Sequence, residues 1–444
     1  MTDAFAGFVE AACVPLDSGH ATGTLEPAQA ILSAHPDLAN GNIHAAAILG
    51  DERAVRRLLD SGDSTAKGGP RNWDALTHLC FSRYLRLDRT RSEGFIRAAQ
   101  ALLDGGASAN TGFYSDDHQP QPEFESVLYG AAGVAHHPGV TRVLLEHGAD
   151  PNDDEVAYHT PETYDNEVLK LLIGTGKLTA DSLSTLLLRK HDWHDHDGIK
   201  WLLEHGADAN LMTRWGYSAL HQALRRDNDL RIVELLLDHG ADPSLPADGR
   251  SAAAMAAREG RGDVLDLFAR RSLPIVLEGV DRLLAACARH DASQVQTLVA
   301  GQPELAQQIA AQAGKLLGEF AGVGNAGGVR HLLDLGADVA AVDEEGDGYW
   351  GIAKKSTALH VAAWRARHDT VKLLVERGAP VDVPDGKGRT PLMRAVRACV
   401  DSHWRDRRSP ESVATLLAAG ASVRNVVYPS GYVEVDALLR ERAG

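Results

Sequence analysis

The stretch STALHVAAWRARHDTVKLLVERGAPVDVPDGKGRTPL, residues 356–392, contains one complete structural unit. Thr357 precedes the apolar run ALHVAAW, and a hydroxyl at that place caps the exposed N–H groups of a helix start. A second apolar run, VKLLVE, follows a short polar turn and ends near Gly378. Because glycine readily adopts the left-handed conformation that ends many helices, the stretch predicts two helices joined by a turn and followed by an extended segment.

The same unit recurs along the chain, and the interval from Gly206 to Gly240 is 34 residues. The clearest copies of its second-helix end are LLEHGADPN (144–152), LLEHGADAN (202–210), LLDHGADPS (236–244), LLDLGADVA (332–340) and LLVERGAPVD (373–382). The clearest first-helix starts are SALHQAL (218–224), TALHVAA (357–363) and TPLMRAV (390–396). Such a period indicates an array of helix pairs, in which each unit buries its apolar faces against its neighbours.

These motifs closely resemble the ankyrin repeat, and the chain is identified as a member of that family, of bacterial type, with about twelve repeats and degenerate terminal units. The resemblance implies an all-α fold: a curved ankyrin-repeat α-solenoid of helix-turn-helix units with β-turn fingers, in a single elongated array. The predicted domains are a degenerate N-terminal capping repeat (1–42), a first sub-array (43–275), a second sub-array with an irregular start (276–424) and a C-terminal cap (425–444). The glycine-alanine pattern lapses over 270–312, which indicates either a bend or a boundary.

The formal net charge of −16 disfavours nucleic-acid binding and favours a protein partner with a basic surface. No apolar run approaches the roughly 20 residues that span a bilayer, and no signal-peptide pattern occurs at the start. We therefore expect no membrane association, a cytoplasmic location and a monomer. The four cysteines are far apart and form no CxxC pair, so reduced thiols are expected, and no cofactor is predicted.

Some reactive residue types occupy repeat positions that account for them structurally. His44, His221 and His360 stand where the ankyrin resemblance implies a histidine that braces the helix start by hydrogen bonding. Cys80 and Cys287 occupy the slot of Ala363 in the clean repeat, which predicts a small buried thiol.

Departures from the repeat are the better candidates for function. Two inter-helix insertions, residues 81–94 and 399–412, are rich in arginine, which either pairs with nearby aspartates or offers bidentate sites for carboxylate or phosphate. A third insertion, residues 343–355, places Tyr349 and Trp350 on a projecting finger loop. The acidic, proline-containing stretch 112–126 is predicted to be an extended surface loop.

Aromatic and arginine side chains dominate binding hot spots, so they mark the predicted binding surface. The resemblance implies contact through finger tips and first-helix surfaces on the concave side. The predicted binding residues are Arg214, Trp215, Tyr217, Arg225, Arg258, Tyr349, Trp350, Trp364 and Arg365.

The stretch HDWHDHD, residues 191–197, is the densest group of potential metal ligands. Alignment of Gly206 with Gly240 places it in the turn between two helices, where a hydrated rim is the preferred interpretation. The alternative is a metal site, in which His191, His194 and Asp195 meet side chains from the neighbouring turns, namely His136, His137 and Glu162.

Two classes of function follow. The preferred hypothesis is a non-enzymatic scaffold that binds a protein partner through its concave surface and finger loops. The second is a solenoid-based enzyme or metal-dependent small-molecule binder that uses His, Asp, Glu, Arg and Trp side chains. No catalytic residue is assigned, because no nucleophile motif such as GxSxG occurs.

Overall fold

The computed structural model describes residues 2–16, 19–38, 40–115 and 121–443. Two compact units are resolved, which comprise residues 1–222 with 235–241 and residues 223–234 with 242–444. The predicted division near residue 275 lies inside the second unit, and the domain boundaries of the sequence analysis stay a prediction.

The first unit is built from short helices that form consecutive pairs. They are α1 (Thr2–Ala12), α2 (Glu26–Ala34), α3 (Ile43–Ile48), α4 (Glu52–Asp60), α5 (Ala75–Cys80), α6 (Arg83–Leu87), α7 (Ser92–Asp104), α8 (Val127–Tyr129), α9 (Pro138–Glu146), α10 (Asp154–His159), α11 (Glu167–Gly174), α12 (Ala180–Asp192) and α13 (His196–Glu204). Like helices pack on like helices from one repeat to the next, as α3 does on α5 and α7 on α9. Their alanine-rich and leucine-rich faces form a continuous core.

Two helices, α14 (Ala219–Arg225) and α15 (Leu230–Asp238), contribute residues to both units. The second unit continues with α16 (Ala252–Arg258), α17 (Gly262–Arg270), α18 (Gly279–Ala288), α19 (Ala292–Gly301), α20 (Glu304–Ala311), α21 (Ala313–Val323), α22 (Ala326–Asp334), α23 (Ala358–Trp364), α24 (His368–Glu376), α25 (Pro391–Asp401), α26 (Glu411–Ala418) and α27 (Val433–Ala443).

Helix boundaries follow the signals read from the sequence. The glycine after the second helix is in the left-handed region, with φ of 83° at Gly378 and 101° at Gly206. The Thr390 hydroxyl caps α25 by accepting a hydrogen bond from Met393 N at 3.3 Å. His360 Nδ1 accepts from Thr357 N at 3.1 Å, and its Nε2 donates to Arg389 O at 3.0 Å, so this histidine braces the helix start and the next finger.

The stretch 112–126 differs from the predicted surface loop. Strands β1 (Gly112–Ser115) and β2 (Glu123–Ser126) pair antiparallel, with Phe113 opposite Glu125, while residues 116–120 lie outside the described part. One face of this hairpin is buried, because Phe113 stacks on Trp73 with a ring-centroid distance of 4.3 Å. Two further short pairs are β3 (Pro246–Ala247) with β4 (Arg250–Ser251), and β5 (Val342–Asp343) with β6 (Ser356–Thr357).

The irregular stretch brings non-neighbouring repeats together within the second unit. Residues 292–311 form α19 and α20, which are joined without a finger, and α16 contacts α21. Asn325 Nδ2 donates to Gly260 O at 2.7 Å and to Ala288 O at 2.8 Å, so three inter-helix turns meet. Residues of all three turns line one cavity of the second unit.

Candidate functional site

The HDWHDHD stretch forms the predicted inter-helix turn, but the prediction of a hydrated rim is wrong. His191 is fully buried in the last turn of α12, and its Nδ1 donates to Leu187 O at 2.7 Å. Asp195 caps α13 and is buried as well. Asp195 is buried because it pairs with the fully buried Lys190, whose Nζ donates to Asp195 Oδ2 at 2.8 Å. A buried ammonium group requires such a carboxylate partner.

The other proposed metal ligands are engaged in structural bonds. His137 caps α9 by accepting from Val140 N at 3.2 Å, and Ser92 Oγ lies 2.7 Å from its Nε2. Burial holds the pKa of His136, His137 and His191 at about 4, so these imidazoles are neutral at pH 7. His194 follows in the turn between α12 and α13. Across the described residues, no group of three or more His, Cys, Asp or Glu side chains is arranged to hold a metal ion.

A charged network in the first unit surrounds Glu162. Its Oε1 accepts from Arg189 Nη2 at 2.7 Å and lies 3.2 Å from His159 Nδ1, while Glu155 Oε2 lies 3.1 Å from His159 Nε2. Burial disfavours a charged imidazole, but the bonds to Glu155 and Glu162 outweigh burial and raise the pKa of His159 to about 9. His159 is therefore a cation at pH 7 and has no free lone pair to act as a base.

Glu125 is the buried acid beside this network. Its residue is 1% exposed, and neither carboxylate oxygen has a hydrogen-bond partner. Burial, followed by the charges of Glu155 and Asp153, raises the pKa of Glu125 to about 8. A neutral carboxyl at pH 7 is the consequence.

The predicted finger residues of the first unit are at the surface. Trp215 is 37% exposed and lies 5.7 Å from the Tyr158 ring centroid. Arg214 stacks on Trp215 at 4.6 Å and donates to Asp154 Oδ2 at 2.7 Å. Tyr217 closes the turn, because its carbonyl accepts from Thr213 N at 3.0 Å.

Asp154 also lines an open cavity of about 640 Å³, which we call the finger cavity. Its other acidic residues are Glu123, Asp150 and Asp153, and the exposed Phe124 borders them. None of these carboxylates stands out individually in the sequence, because acidic residues are ordinary in finger turns. The folded unit thus joins an acidic surface to the predicted aromatic contact residues.

A second cavity, of about 380 Å³, lies in the second unit and gathers four predicted binding residues: Arg225, Tyr349, Trp350 and Arg365. We call it the glutamate cavity, after Glu259 on α16 and Glu319 on α21, which also line it. Tyr349 is 42% exposed at its edge, whereas Arg365 is 4% exposed and lies in the wall. Neither glutamate was predicted from the sequence, because the two become neighbours only through the contact of α16 with α21.

The basic side chains of the glutamate cavity are held by other groups. Arg365 Nη2 donates to Asp227 Oδ2 at 2.8 Å, and its guanidinium carbon lies 4.1 Å from the Trp350 ring centroid. Arg226 stacks on Tyr349 at 3.5 Å. Lys315 Nζ lies 3.1 Å from Glu345 Oε2.

The two glutamates interact electrostatically with nearby cations but form no direct bond to them in the described part of the chain. Glu259 Oε2 is buried without a hydrogen-bond partner, and neither Glu259 nor Glu319 forms an ion pair within the described residues. Burial, and then the charge of Glu319, raises the pKa of Glu259 well above its usual value. Burial also raises the pKa of Glu319. The cavity therefore contains two carboxyl groups whose ionised form is disfavoured by burial, and Glu259 has an oxygen without a hydrogen-bond partner.

Two predicted binding residues of the second unit lie outside this lining. Arg258 Nε lies 2.6 Å from Asp281 Oδ1, an ion pair between α16 and α18. Trp364 Nε1 donates to Trp350 O at 2.7 Å and is covered by Arg394, whose guanidinium carbon lies 3.9 Å from its ring. Trp364 thus holds the finger loop that carries Tyr349 and Trp350.

The four cysteines, Cys13, Cys80, Cys287 and Cys399, are all buried free thiols. Burial raises the pKa of Cys13 and Cys287 to about 12, so neither is a reactive thiolate. The helices of the described residues include none long and apolar enough to cross a bilayer.

Paired helices, left-handed glycine caps and β-turn fingers define a helical repeat protein. The family model for ankyrin repeats in three copies matches residues 190–274 and 317–425. The chain therefore contains ankyrin repeats, and its mostly helical fold is the all-α ankyrin fold. The match stops at 274 and resumes at 317, which coincides with the irregular stretch.

Curated relatives share these repeats. Human ankyrin repeat and SOCS box protein 16 is 30% identical over 237 residues, which cover 51% of this chain and 42% of that protein. Human B-cell lymphoma 3 protein is 46% identical over 69 residues, 15% of this chain and 14% of that protein. The chain thus matches less than half the length of either relative. The crystal structure of the human ASB11 ankyrin repeat domain aligns with a TM-score of 0.37 and 22% identity, over 48% of this chain and 90% of that one.

Proposed function

We propose that this chain is a non-enzymatic scaffold that binds a protein partner with basic side chains. Ankyrin repeats generally mediate protein–protein interaction. The observation that carries the proposal is the glutamate cavity, where four predicted binding residues border the unpartnered Glu259 Oε2. An arginine or lysine side chain of the partner would supply the missing donor there.

The energetics favour a cationic group. A buried acceptor without a partner costs about 1–3 kcal/mol, and a charge-assisted hydrogen bond would remove that cost. Because Glu259 has a raised pKa, arrival of a cation would release its proton. Partner affinity should therefore increase with pH above the usual glutamate range, until Glu259 is ionised in the free protein.

The finger cavity of the first unit is a second proposed contact site. Trp215 and Phe124 supply exposed aromatic area, and Asp150, Asp153 and Asp154 supply negative charge. Aromatic anchors beside charge of one sign are typical of sites that attract an oppositely charged partner. The net charge of −16 adds long-range attraction. In this proposal the chain acts as a cytoplasmic monomer.

The proposal is tested by affinity capture from native cytosol with the intact chain. We expect a macromolecule that is retained at low salt, and we expect Glu259→Gln to lose it. The matched control is Glu376→Gln, because Glu376 is exposed on α24 of the same unit. Equal retention by the two variants, or no retained macromolecule, would reject the glutamate cavity as the contact site.

The second candidate function is small-molecule binding in the glutamate cavity, including the enzymatic alternative. Its volume of about 380 Å³ falls within the usual range of small-molecule sites, about 300–1,000 Å³. Isothermal titration with agmatine, a small guanidinium compound, distinguishes small-molecule binding from protein binding. Saturable binding that Glu259→Gln abolishes supports a small cationic ligand. Absence of binding heat with the wild-type chain rejects small-molecule binding as the function of this cavity.

A further inference from the structure

A third cavity, of about 750 Å³, lies in the second unit on the side of the inter-helix turns. We call it the arginine cavity. Its wall contains the first residues of three second helices, Leu230 of α15, Gly262 of α17 and Ala326 of α22. Arg367, which precedes the fourth such helix, α24, also lines it. Four helix N-termini therefore border one space.

A helix N-terminus carries partial positive charge and unpaired N–H groups, which favour anions. Each of the four helices has nine residues, long enough for this effect. Asn325 and Asp229 cap α22 and α15 with their side chains, whereas Arg261 and Arg367 occupy the N-cap positions of α17 and α24 without such a bond. Two cationic side chains thus stand at helix starts that already favour negative charge.

Guanidinium groups outnumber the carboxylate at the centre of this wall. Asp227 Oδ2 accepts from Arg367 Nη2 at 2.7 Å and from Arg365 Nη2 at 2.8 Å, and Asp227 Oδ1 lies 3.4 Å from Arg261 Nη1. Asp263 neutralises Arg261 through two bonds of 2.9 Å. Arg365 and Arg367 therefore share one aspartate.

Arg407 also lines the arginine cavity, and it belongs to the arginine-rich insertion 399–412. Its Nη1 is buried without a hydrogen-bond partner. Burial lowers the pKa of Arg367 to about 10. The charge of Asp227 opposes this effect, and the charges of Arg407, Arg365 and Arg261 add to it. The lining as a whole contains four arginines and four aspartates, and the local excess of positive charge lies around Asp227, which Arg261, Arg365 and Arg367 share.

The remaining acidic residues of the wall are already occupied. Asp229 accepts from Ile232 N at 3.1 Å and from Arg231 Nη2 at 2.9 Å. Asp266 lies 2.6 Å from Arg289 Nε. Arg367 donates from Nε to Gly322 O at 2.8 Å and from Nη2 to Asp227, so its Nη1 and the Nη1 of Arg407 are the groups left for an incoming anion.

We propose that the arginine cavity binds a phosphate monoester, with the phosphate oxygens held by Arg407 and Arg367. A dianionic phosphate matches two guanidinium groups, because charge-assisted hydrogen bonds to its oxygens are stronger than neutral ones. The volume leaves room for the group that carries the phosphate. That group is either a small metabolite or a phosphorylated side chain of another protein, and the chemistry of recognition is the same for both.

Titration calorimetry on the full chain at constant ionic strength tests this proposal. The probes are inorganic phosphate, O-phosphoserine, and a phosphoserine peptide with its unphosphorylated form. We expect saturable binding of phosphate and both phosphoserine probes, and none of the unphosphorylated peptide. Tighter binding of the peptide than of O-phosphoserine identifies a phosphorylated partner, and equal or weaker binding identifies a small metabolite.

The decisive variant is Arg407→Ala, which should weaken phosphate binding at least about tenfold through loss of a charge-assisted contact. Its matched control is Arg405→Ala, an exposed arginine of the same turn that does not line the cavity. Arg407→Lys keeps the charge and should retain part of the affinity. No phosphate binding by the wild type, or the same loss with Arg405→Ala as with Arg407→Ala, would overturn the proposal.

Discussion

Replacement of Glu125 by glutamine should stabilise the first unit at neutral and alkaline pH. The carboxyl of Glu125 is 1% exposed and both oxygens lack partners, while Asp153 and Glu155 lie near enough to raise its pKa. Glutamine has the same shape and no charge. Its amide group can also donate a hydrogen bond toward these acidic neighbours.

The size of the effect follows from the pKa of Glu125, about 8 in the folded protein against 4.5 for an ordinary glutamate. Because the folded pKa is raised, the protonated acid carries no charge penalty below pH 4.5, and stability is lost progressively as the pH rises toward 8. Each pKa unit corresponds to about 1.4 kcal/mol, so the ionisation equilibrium of Glu125 lowers the free energy of unfolding at pH 7 by roughly 3 kcal/mol. Glu125→Gln should recover most of that amount.

Urea unfolding at pH 4.5, 7 and 8.5 measures this gain as a shift of the midpoint. Tryptophan fluorescence is a suitable signal, because Trp73 stacks on Phe113, the strand partner of Glu125. The matched control is Glu146→Gln, an exposed glutamate of the same unit. We expect a higher midpoint for Glu125→Gln at pH 7 and 8.5, no gain at pH 4.5, and no change in the control at any pH.

Two results would refute this reasoning. A gain of the same size at all three pH values would show that glutamine improves packing and that ionisation of Glu125 is irrelevant. A lower midpoint at pH 8.5 would show that the ionised carboxylate is stabilised in the folded chain.

Three further predictions concern the fold. Lys190→Met should lower the urea midpoint by the equivalent of about 3–5 kcal/mol, because Asp195 would lose its buried partner. The double variant with Asp195→Asn should recover part of the loss. An unchanged midpoint for Lys190→Met would contradict this ion pair. Gly378→Ala should lower the free energy of unfolding by roughly 1–2 kcal/mol, because φ is 83° and alanine is strained in that conformation. No atom lies within 4 Å of the added methyl group, so no steric clash adds to this strain. An unchanged melting temperature would argue against the left-handed cap. An aromatic disulfide reagent should modify none of the four buried cysteines in the native protein and all four in urea, and rapid native labelling would contradict their burial.

The features that the sequence predicted correctly are those that depend on neighbouring residues. The left-handed Gly206 and Gly378, the bracing His360 and the buried Cys287 follow from a local pattern that each repeat restates. The position of HDWHDHD in an inter-helix turn follows from the same alignment of repeats. The prediction of its exposure was wrong, because polar residues in a turn give no sign of a buried lysine among them.

The functional surfaces depend on contacts between distant parts of the chain. Arg365 and Asp227 are separated by 138 residues and lie 2.8 Å apart in the second unit. Glu259 and Glu319 share a cavity because α16 contacts α21 across the irregular stretch. No periodic signal in the sequence marks such pairs, since each partner occupies an ordinary polar position of its own repeat.

The ankyrin repeat, the helix pairs and their caps can be read from the amino-acid sequence, because helix periodicity and glycine conformation are properties of short segments. The burial of charged groups, and whether each of them finds a partner, depends on the folded structure. The physical reason is that the free energy of a charge depends on its exposure to water and on its nearest charged neighbours. Both are set by the packing of repeats, so the glutamate and arginine cavities exist only in the folded unit.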